Sequence, residues 1–393
     1  MKKTIRDYDL NNKKVIIRCD FNVPIKDGKI VDDNRIVQSL ATIKYAIDNN
    51  AKILLMSHLG RIKEEEDKAN NSLSLVANRL SELLGKEVKF SKSTHGEELE
   101  SLVNSLNPGD VLLMENTRFE DVPGKKESGN DPELGAYWAS LGEIFINDAF
   151  GTCHRAHASN VGIASHLPSG LGFLVEKEVN ALSVLVDPVH PFVVILGGSK
   201  VSDKIGVIEN LVKKADKIII GGGMAYTFLK AKGYNIGKSI LDEESIDFCK
   251  NVLANYSDKI VLPIDNAVTK EFSNDVEFSF VDSTNISDDE MGMDIGPKTV
   301  ELFSNVLDTA KIVFWNGPLG VYEMSNFTKG TESMLNKLVN IDATTILGGG
   351  DIVAAATNLG YKDKVTHAST GGGVTLEFME GKELPGVVSI TDK

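Results

Sequence analysis

The sequence predicts an α/β protein made of two doubly wound parallel-sheet domains joined by a helix, with a cleft between the domains. Three observations predict it. Short apolar runs of strand length recur along the chain, with helix-period segments between them. Most of these runs are continuously apolar, as expected for strands covered on both faces. The chain has 393 residues, more than one hydrophobic core usually organises.

The strand-length runs of the first half are Val15–Ile17, Ile53–Met56, Val111–Met114 and Ile144–Ile146. In the second half they are Phe192–Leu196, Ile218–Ile220, Ile260–Leu262, Ile312–Trp315 and Thr345–Leu347. Helical segments between them include Ile36–Asp48, Leu75–Leu84, Lys204–Lys214, Glu244–Tyr256 and Thr331–Val339. Such alternation implies right-handed βαβ units and hence parallel sheets.

The boundary falls near Pro168–Asp187. Leu167-Pro-Ser-Gly-Leu-Gly is turn-rich, Val175–Leu185 reads as one amphipathic helix, and Pro188 and Pro191 close it. The domains expected are 1–172, a linker helix over 173–187, and 188–376. A joining helix is a semi-rigid connector with hinges at its ends.

Bulk properties exclude several classes. With 56 acidic and 42 basic residues the net charge is −14, which argues against a nucleic-acid binder driven by bulk charge. Cys19, Cys153 and Cys249 are too few and too scattered for a disulfide framework or zinc site, and they fit a reducing compartment. No apolar run nears the ~18 residues of a membrane span, and no apolar region follows the basic start. A cytoplasmic protein without membrane attachment is expected.

In doubly wound folds, ligands bind beyond the carboxyl ends of the strands. After the first-half strands come Arg18-Cys-Asp20-Phe21-Asn22, Ser57-His58-Leu59-Gly60-Arg61, Glu115-Asn-Thr-Arg118 and Asn147-Asp-Ala-Phe-Gly-Thr-Cys-His154-Arg155. Arg35 follows the loop after the first strand. Five arginines (18, 35, 61, 118 and 155) therefore stand at strand exits or the next loop. Guanidinium groups bind carboxylate and phosphate in bidentate fashion, so the set suits a small, multiply charged anion.

The second-half strands are followed by glycines instead: Leu196-Gly-Gly-Ser-Lys200, Ile220-Gly-Gly-Gly-Met224, Trp315-Asn-Gly-Pro-Leu-Gly320, Leu347-Gly-Gly-Gly-Asp351 and Ser369-Thr-Gly-Gly-Gly373. Glycine lets backbone N–H groups approach a ligand, and a following helix offers its positive end. Five such turns in one half point to a nucleotide or phosphate site. None has the Gly-x-Gly-x-x-Gly spacing of a dinucleotide fold. Gly233–Ser239 lacks one residue of a P-loop and follows no apolar strand, and no protein-kinase motif set is present. Cys153-His154-Arg155-Ala-His157 has no further spaced ligands that would complete a transition-metal site.

Phosphoryl transfer needs positioning and charge neutralisation more than covalent chemistry. Lys200 and Lys204 lie in Gly-Gly-Ser-Lys-Val-Ser-Asp-Lys at a helix start, where a lysine can reach phosphate. Asp351 opens a helix and could be an N-cap, a Mg²⁺ ligand beside nucleotide phosphates, or both. Glu323 could accept hydrogen bonds from a ribose.

Taken in order, these segments resemble phosphoglycerate kinase. The resemblance rests on Arg18–Pro24, Asp33-Asn-Arg-Ile, Ser57–Arg61, Glu115-Asn-Thr-Arg-Phe, Asn147–His157, Gly-Gly-Ser-Lys-Val-Ser-Asp-Lys204, Trp315–Gly320, Gly348-Gly-Gly-Asp and Ser369–Gly373, and it spans essentially the whole chain. It implies two Rossmann-like domains and the reaction ATP + 3-phosphoglycerate ⇌ ADP + 1,3-bisphosphoglycerate, with Mg²⁺. It implies that Asp20, Phe21, Asn22, Arg35, His58, Leu59, Gly60, Arg61, Arg118 and Arg155 bind the glycerate substrate. Arg35 and Lys204 would stabilise the phosphoryl group in flight, and Gly371, Gly372 and Gly373 would give N–H groups to the transition state. Lys200, Lys204, Gly222, Gly223, Gly292, Asn316, Glu323, Gly349, Gly350, Asp351 and Ile352 would line the nucleotide site, with Asp351 on the metal side. It implies small-molecule partners only, a monomer, and a tail from about residue 377 to 393 that returns to the N-terminal domain.

Two positions depart from the family pattern. Ile352 replaces a usual Ser or Thr, losing a hydroxyl but keeping a backbone N–H at the helix start. Ser199 stands where Ala is more usual. A nicotinamide-dependent oxidoreductase and a catalytically silent binding protein are the competing readings. The missing fingerprint opposes the first, and the intact basic and glycine motifs oppose the second.

Overall fold

The computed structural model describes residues Met1–Lys393, and the chain divides into two units: Met1–Val179 with Glu383–Lys393, and Asn180–Lys382. Each is built on a six-stranded sheet whose paired strands are all parallel.

The first unit opens with strand β1 (Lys14–Arg18) and a small hairpin, β2 (Ile25–Lys26) and β3 (Lys29–Ile30). Asp27 and Gly28, at φ 50° and 70°, form its two-residue turn, the left-handed conformation such hairpins need. Helix α1 (Asn34–Asp48), β4 (Lys52–Met56), α2 (Ser74–Leu84), β5 (Val88–Ser91), α3 (Glu97–Asn104), β6 (Val111–Met114), α4 (Pro132–Ser140), β7 (Ile144–Asn147) and β8 (Ser169–Leu171) follow. The spatial order is β5-β6-β4-β1-β7-β8. The chain winds outward from β1 through β4 to the edge strand β5, returns to insert β6 between β4 and β5, then continues on the other side of β1 through β7 and β8, so the order reverses beside β1. Successive residues of a strand face opposite sides of the sheet. Val15, Ile17, Ile53 and Leu55 pack with Ile36, Ile43, Val76 and Leu80 of α1 and α2. On the other face the chain after α4 presses so closely on Ile16 that a Cβ on Gly142 would lie 2.6 Å from its Cγ1. Burial on both faces explains the unbroken apolar runs.

Helix α5 (Phe173–Ser183) starts two residues before the expected Val175 and ends two before Leu185. Its first turn is held by the first unit, with Leu174 N–H donating to Asp148 Oδ1 at 2.9 Å and Phe173 N–H to Thr42 Oγ1 at 2.9 Å.

The second unit contains β9 (Phe192–Leu196), α6 (Ile205–Leu211), β10 (Lys217–Ile220), α7 (Met224–Ala231), α8 (Ile246–Tyr256), β11 (Ile260–Val261), β12 (Asp265–Thr269), β13 (Ser279–Asp282), β14 (Met291–Ile295), α9 (Pro297–Leu307), β15 (Ile312–Asn316), α10 (Lys329–Leu338), β16 (Thr344–Leu347), α11 (Gly350–Asn358), β17 (His367–Ala368) and α12 (Gly373–Met379). Its main sheet runs β11-β10-β9-β15-β16-β17, reversing between β9 and β15. Val193, Ile195, Val313, Trp315 and Leu347 pack against Phe303, Leu307, Met334 and Ile352.

A second, three-stranded antiparallel sheet, β13-β12-β14, has no counterpart in the sequence reading. All five residues of β12 are buried, yet they read Asp-Asn-Ala-Val-Thr. Their polar groups are satisfied locally: Asp265 accepts from Thr299 N–H and Oγ1, both at 2.7 Å, and Asn266 Nδ2 donates to Ser283 Oγ at 2.8 Å.

The last residues carry α13 (Pro385–Val388) back to the first unit. Gly386 O accepts from Asn147 Nδ2 at 2.8 Å, and Gly386 N–H donates to Cys153 O at 2.9 Å. The first-unit portion of the tail starts at Glu383, because α12 stays with the second unit, where Met379 O accepts from Asn210 Nδ2 at 2.8 Å. No helix is long and apolar enough to cross a membrane.

Candidate active site

In the first unit the polar residues gather beyond the carboxyl ends of β1, β4, β6 and β7, where the strand order reverses. Asp20 leaves β1 and accepts from Arg35 Nη1 at 2.8 Å; the Arg35 side chain remains 46% exposed. Asn22 Oδ1 accepts from Gly60 N–H at 2.9 Å, joining the loops after β1 and β4. The Gly60 carbonyl in turn accepts from Arg118 Nη1. Arg118 is half-buried, and desolvation followed by the Arg18 charge pulls its pKa down, while Asp121 and Glu127 oppose the shift. Arg61 and Arg155 are exposed. Phe21 and Leu59 face inward with the hydrophobic core, so only their backbone groups can meet a ligand.

Arg18 behaves differently from the other four arginines. It is wholly buried, donates from Nε to Ser159 Oγ at 2.8 Å, and lies 3.9 Å from Glu127 Oε1. Its Nη2 stands 3.2 Å from His58 Nδ1. It supports the anion site from beneath and offers no free guanidinium. Burial first, then the charges of Arg18 and Arg118, push the His58 pKa far below the usual imidazole range. The same causes take His157 down to about 3.

In the second unit the glycine loops after β9 and β15 meet where that sheet reverses. Gly197 N–H donates to Asn316 O at 2.8 Å and Gly198 N–H to Pro318 O at 3.1 Å. A Cβ on Gly197 would stand 2.1 Å from Pro318 O, so the glycine is required by backbone packing as well as by any ligand. Beside these loops opens a cavity of about 500 Å³. Gly222, Gly223, Gly292, Glu323 and Asp351 of the expected nucleotide set line it. Lys200, Lys204, Asn316, Gly349, Gly350 and Ile352 do not. Tyr226, Ile240, Phe272, Met291, Met293 and Leu319 supply apolar walls that the sequence reading missed. Several of them come from or flank the unanticipated antiparallel sheet, and no run of apolar residues marks them together.

Gly349, at φ 113°, precedes α11, and the amides of Gly350, Asp351 and Ile352 head that helix, where amides have no intrahelical acceptor. Asn316 Oδ1 beside them is buried without a partner. Ile352 packs with Leu347, Ala355 and Ala356, so its side chain belongs to the core and only its N–H is available. Lys204 ends the loop before α6. Burial lowers its pKa, and the carboxylates of Asp203 and Asp351 oppose that shift. Gly372, at φ 52°, and Gly373 head α12, with open space where a Cβ would point.

No cluster of three or more metal-ligating side chains is present. Two carboxylates, Glu323 and Asp351, line the cavity, and one carboxylate is enough for Mg²⁺ when substrate phosphates and water complete its shell. Asp351 therefore fits a metal shared with the nucleotide.

A basic anion site and a glycine-walled cavity lined by Glu323 and Asp351, each at the switch point of its own parallel sheet, define a nucleotide-dependent phosphotransferase. The family model described as phosphoglycerate kinase matches residues 5–382. The phosphoglycerate kinase of Enterococcus faecalis is 63% identical over the full length of both chains, and that of Fusobacterium nucleatum 61% identical, also over both full lengths. Among solved structures, phosphoglycerate kinase from Coxiella burnetii superposes with a TM-score of 0.92 at 38% identity, covering 99% of this chain and 98% of the other. That from Pyrococcus horikoshii gives 0.83 at 31% identity, covering 98% of each chain. The chain belongs to the phosphoglycerate kinase family.

Proposed function

We propose that the chain carries out reversible, Mg²⁺-dependent phosphoryl transfer between ATP and the carboxylate of 3-phosphoglycerate, giving ADP and 1,3-bisphosphoglycerate. The observation that carries this reading is the glycine-walled cavity of about 500 Å³ with Asp351 in its lining. Lys204, whose lowered pKa the Asp203 and Asp351 carboxylates oppose, is the cation expected beside the phosphates. Asp20, Asn22, His58, Arg61, Arg118 and Arg155 hold the glycerate substrate, with backbone groups of Phe21, Leu59 and Gly60. Gly222, Gly223, Gly292 and Glu323 receive the nucleoside. Lys200, Asn316 and the amides of Gly349–Ile352 receive the phosphates. Asp351 holds Mg²⁺, which when bound neutralises charge on the phosphate chain.

The attacking group is a carboxylate, already ionised at neutral pH, so no general base is needed. Charge on the three phosphoryl oxygens instead needs cations and N–H donors. Arg35 and Lys204 supply the cations, and Gly371–Gly373 the donors. An acyl phosphate hydrolyses easily, so closure of the two units to exclude water serves the chemistry. The enzyme acts as a cytoplasmic monomer on small molecules, without nucleic acid or membrane. The test is to mix protein, ATP, Mg²⁺ and 3-phosphoglycerate and couple product formation to NADH oxidation. Turnover that depends on all three additions is expected. Nucleotide binding without turnover would overturn the reading.

A further inference from the structure

Beneath the anion site of the first unit lies a buried polar chain. Glu127 is fully buried, in the loop before α4. It accepts from Ser159 N–H at 2.9 Å and from the Ser159 hydroxyl. Because that hydroxyl donates to Glu127, its lone pairs are left for Arg18 Nε–H, which reaches them at 2.8 Å. Arg18 Nη2 then meets His58 Nδ1 at 3.2 Å. A guanidinium has five donors and no acceptor, so Nδ1 must be the accepting nitrogen and the ring proton must sit on Nε2. The charges around this chain are the cations Arg18, Arg35, Arg118 and Arg155, the histidines 154 and 157, and the carboxylates Asp121 and Glu127. Among them Glu127 is the carboxylate nearest Arg18, at 3.9 Å.

We propose that Glu127 is a positioning residue: through Ser159 and Arg18 it fixes His58 as the Nε2–H tautomer, leaving Nε2–H to donate to the anionic substrate. The inference rests on the reading of this site as the glycerate site. Glu127 touches no substrate. Its carboxylate holds the buried Arg18 charge in place, and Arg18 in turn selects which imidazole nitrogen carries the proton. Desolvation and the surrounding arginines keep the ring neutral. A neutral imidazole with a fixed proton donates a directed hydrogen bond to a carboxylate or phosphate oxygen.

The test has two readouts. Long-range ¹H–¹⁵N spectra of the wild-type protein should show His58 neutral at pH 7 with the proton on Nε2. Glu127→Gln should mix or invert that tautomer and raise KM for 3-phosphoglycerate about 10- to 100-fold, with KM for ATP unchanged. Ser159→Ala interrupts the same chain while keeping the buried ion pair, and should shift the tautomer in the same sense by a smaller amount. If Glu127→Gln does not fold, the wild-type spectrum and Ser159→Ala still decide. A wild-type His58 carrying its proton on Nδ1, or both variants leaving tautomer and KM as in wild type, would overturn the proposal. A tautomer that responds to Glu127 in a protein without kinase turnover would instead overturn the functional reading and leave the positioning role standing.

Discussion

A Cβ placed on Gly292 would stand 1.9 Å from the hydroxyl oxygen of Tyr226. Both residues line the cavity of the second unit, so the wall of the site is set by the absence of one side chain against the bulk of another. Gly292→Ala should therefore displace a buried tyrosine. Overpacking of this kind costs roughly 1–3 kcal/mol. Thermal unfolding should show a lowered Tm, and KM for ATP should rise while KM for 3-phosphoglycerate holds. An alanine variant as stable as wild type would mean that Tyr226 relaxes freely.

Lys204→Ala should slow turnover far more than it weakens nucleotide binding. A cation that acts mainly on charge developing in the transition state is worth about 10²- to 10³-fold in kcat. Titration of the variant with ATP, set beside its kcat, separates the two quantities. Equal losses in both would remove the transition-state role.

Asp294 gives a pH signature. Burial pushes its pKa from the ordinary carboxylate value up to about 7, against the amides of Ile295 and Gly330 that donate to it. The folded protein thus holds a proton that the unfolded chain releases near pH 4. The contribution to stability is fully present below about pH 4 and is lost as pH rises toward 7, with a slope of at most ~1.4 kcal/mol per pH unit. Denaturant titrations between pH 4 and 7 should show wild type gaining stability, relative to Asp294→Asn, as pH falls. Parallel curves for the two proteins would place the Asp294 pKa back in the ordinary range.

Both ligands together should compact the protein in solution, and either alone should do so less. Small-angle scattering measures this directly. An unchanged radius of gyration with ATP analogue, Mg²⁺ and 3-phosphoglycerate all present would count against closure.

The parallel sheets were legible because strands buried on both faces must be apolar throughout, and Val15–Ile17 or Ile312–Trp315 can hardly be read otherwise. The strand-exit residues were legible for the same reason: once a strand end is located, Asp20 or Asp351 follows by counting. The antiparallel sheet was hidden, because β12 buries Asp265, Asn266 and Thr269 by satisfying them with partners up to 34 residues away. Hydrophobic pattern carries no trace of such pairing. Arg18 was grouped with four arginines it does not resemble, since its burial depends on Glu127 and Ser159, which lie 109 and 141 positions further on. Gly292 was found through family resemblance, and its packing against Tyr226 has no sequence signal at all.

The first unit is stitched shut by its far end: Lys3 N–H donates to Thr391 O at 2.8 Å, Lys393 N–H to Met1 O at 2.9 Å, and Lys2 Nζ to Ile390 O at 2.7 Å. Chain order and folding order therefore conflict. During synthesis the early strands can assemble on the ribosome, but the segment that clasps them, Glu383–Lys393, follows the whole second unit in the chain. The same adjacency makes Met1 and Lys393 natural points to splice, with the chain reopened at an exposed loop elsewhere. Reopened at the exposed Gly381–Glu383 loop, such a circular permutant would let the first unit complete itself before the second is made.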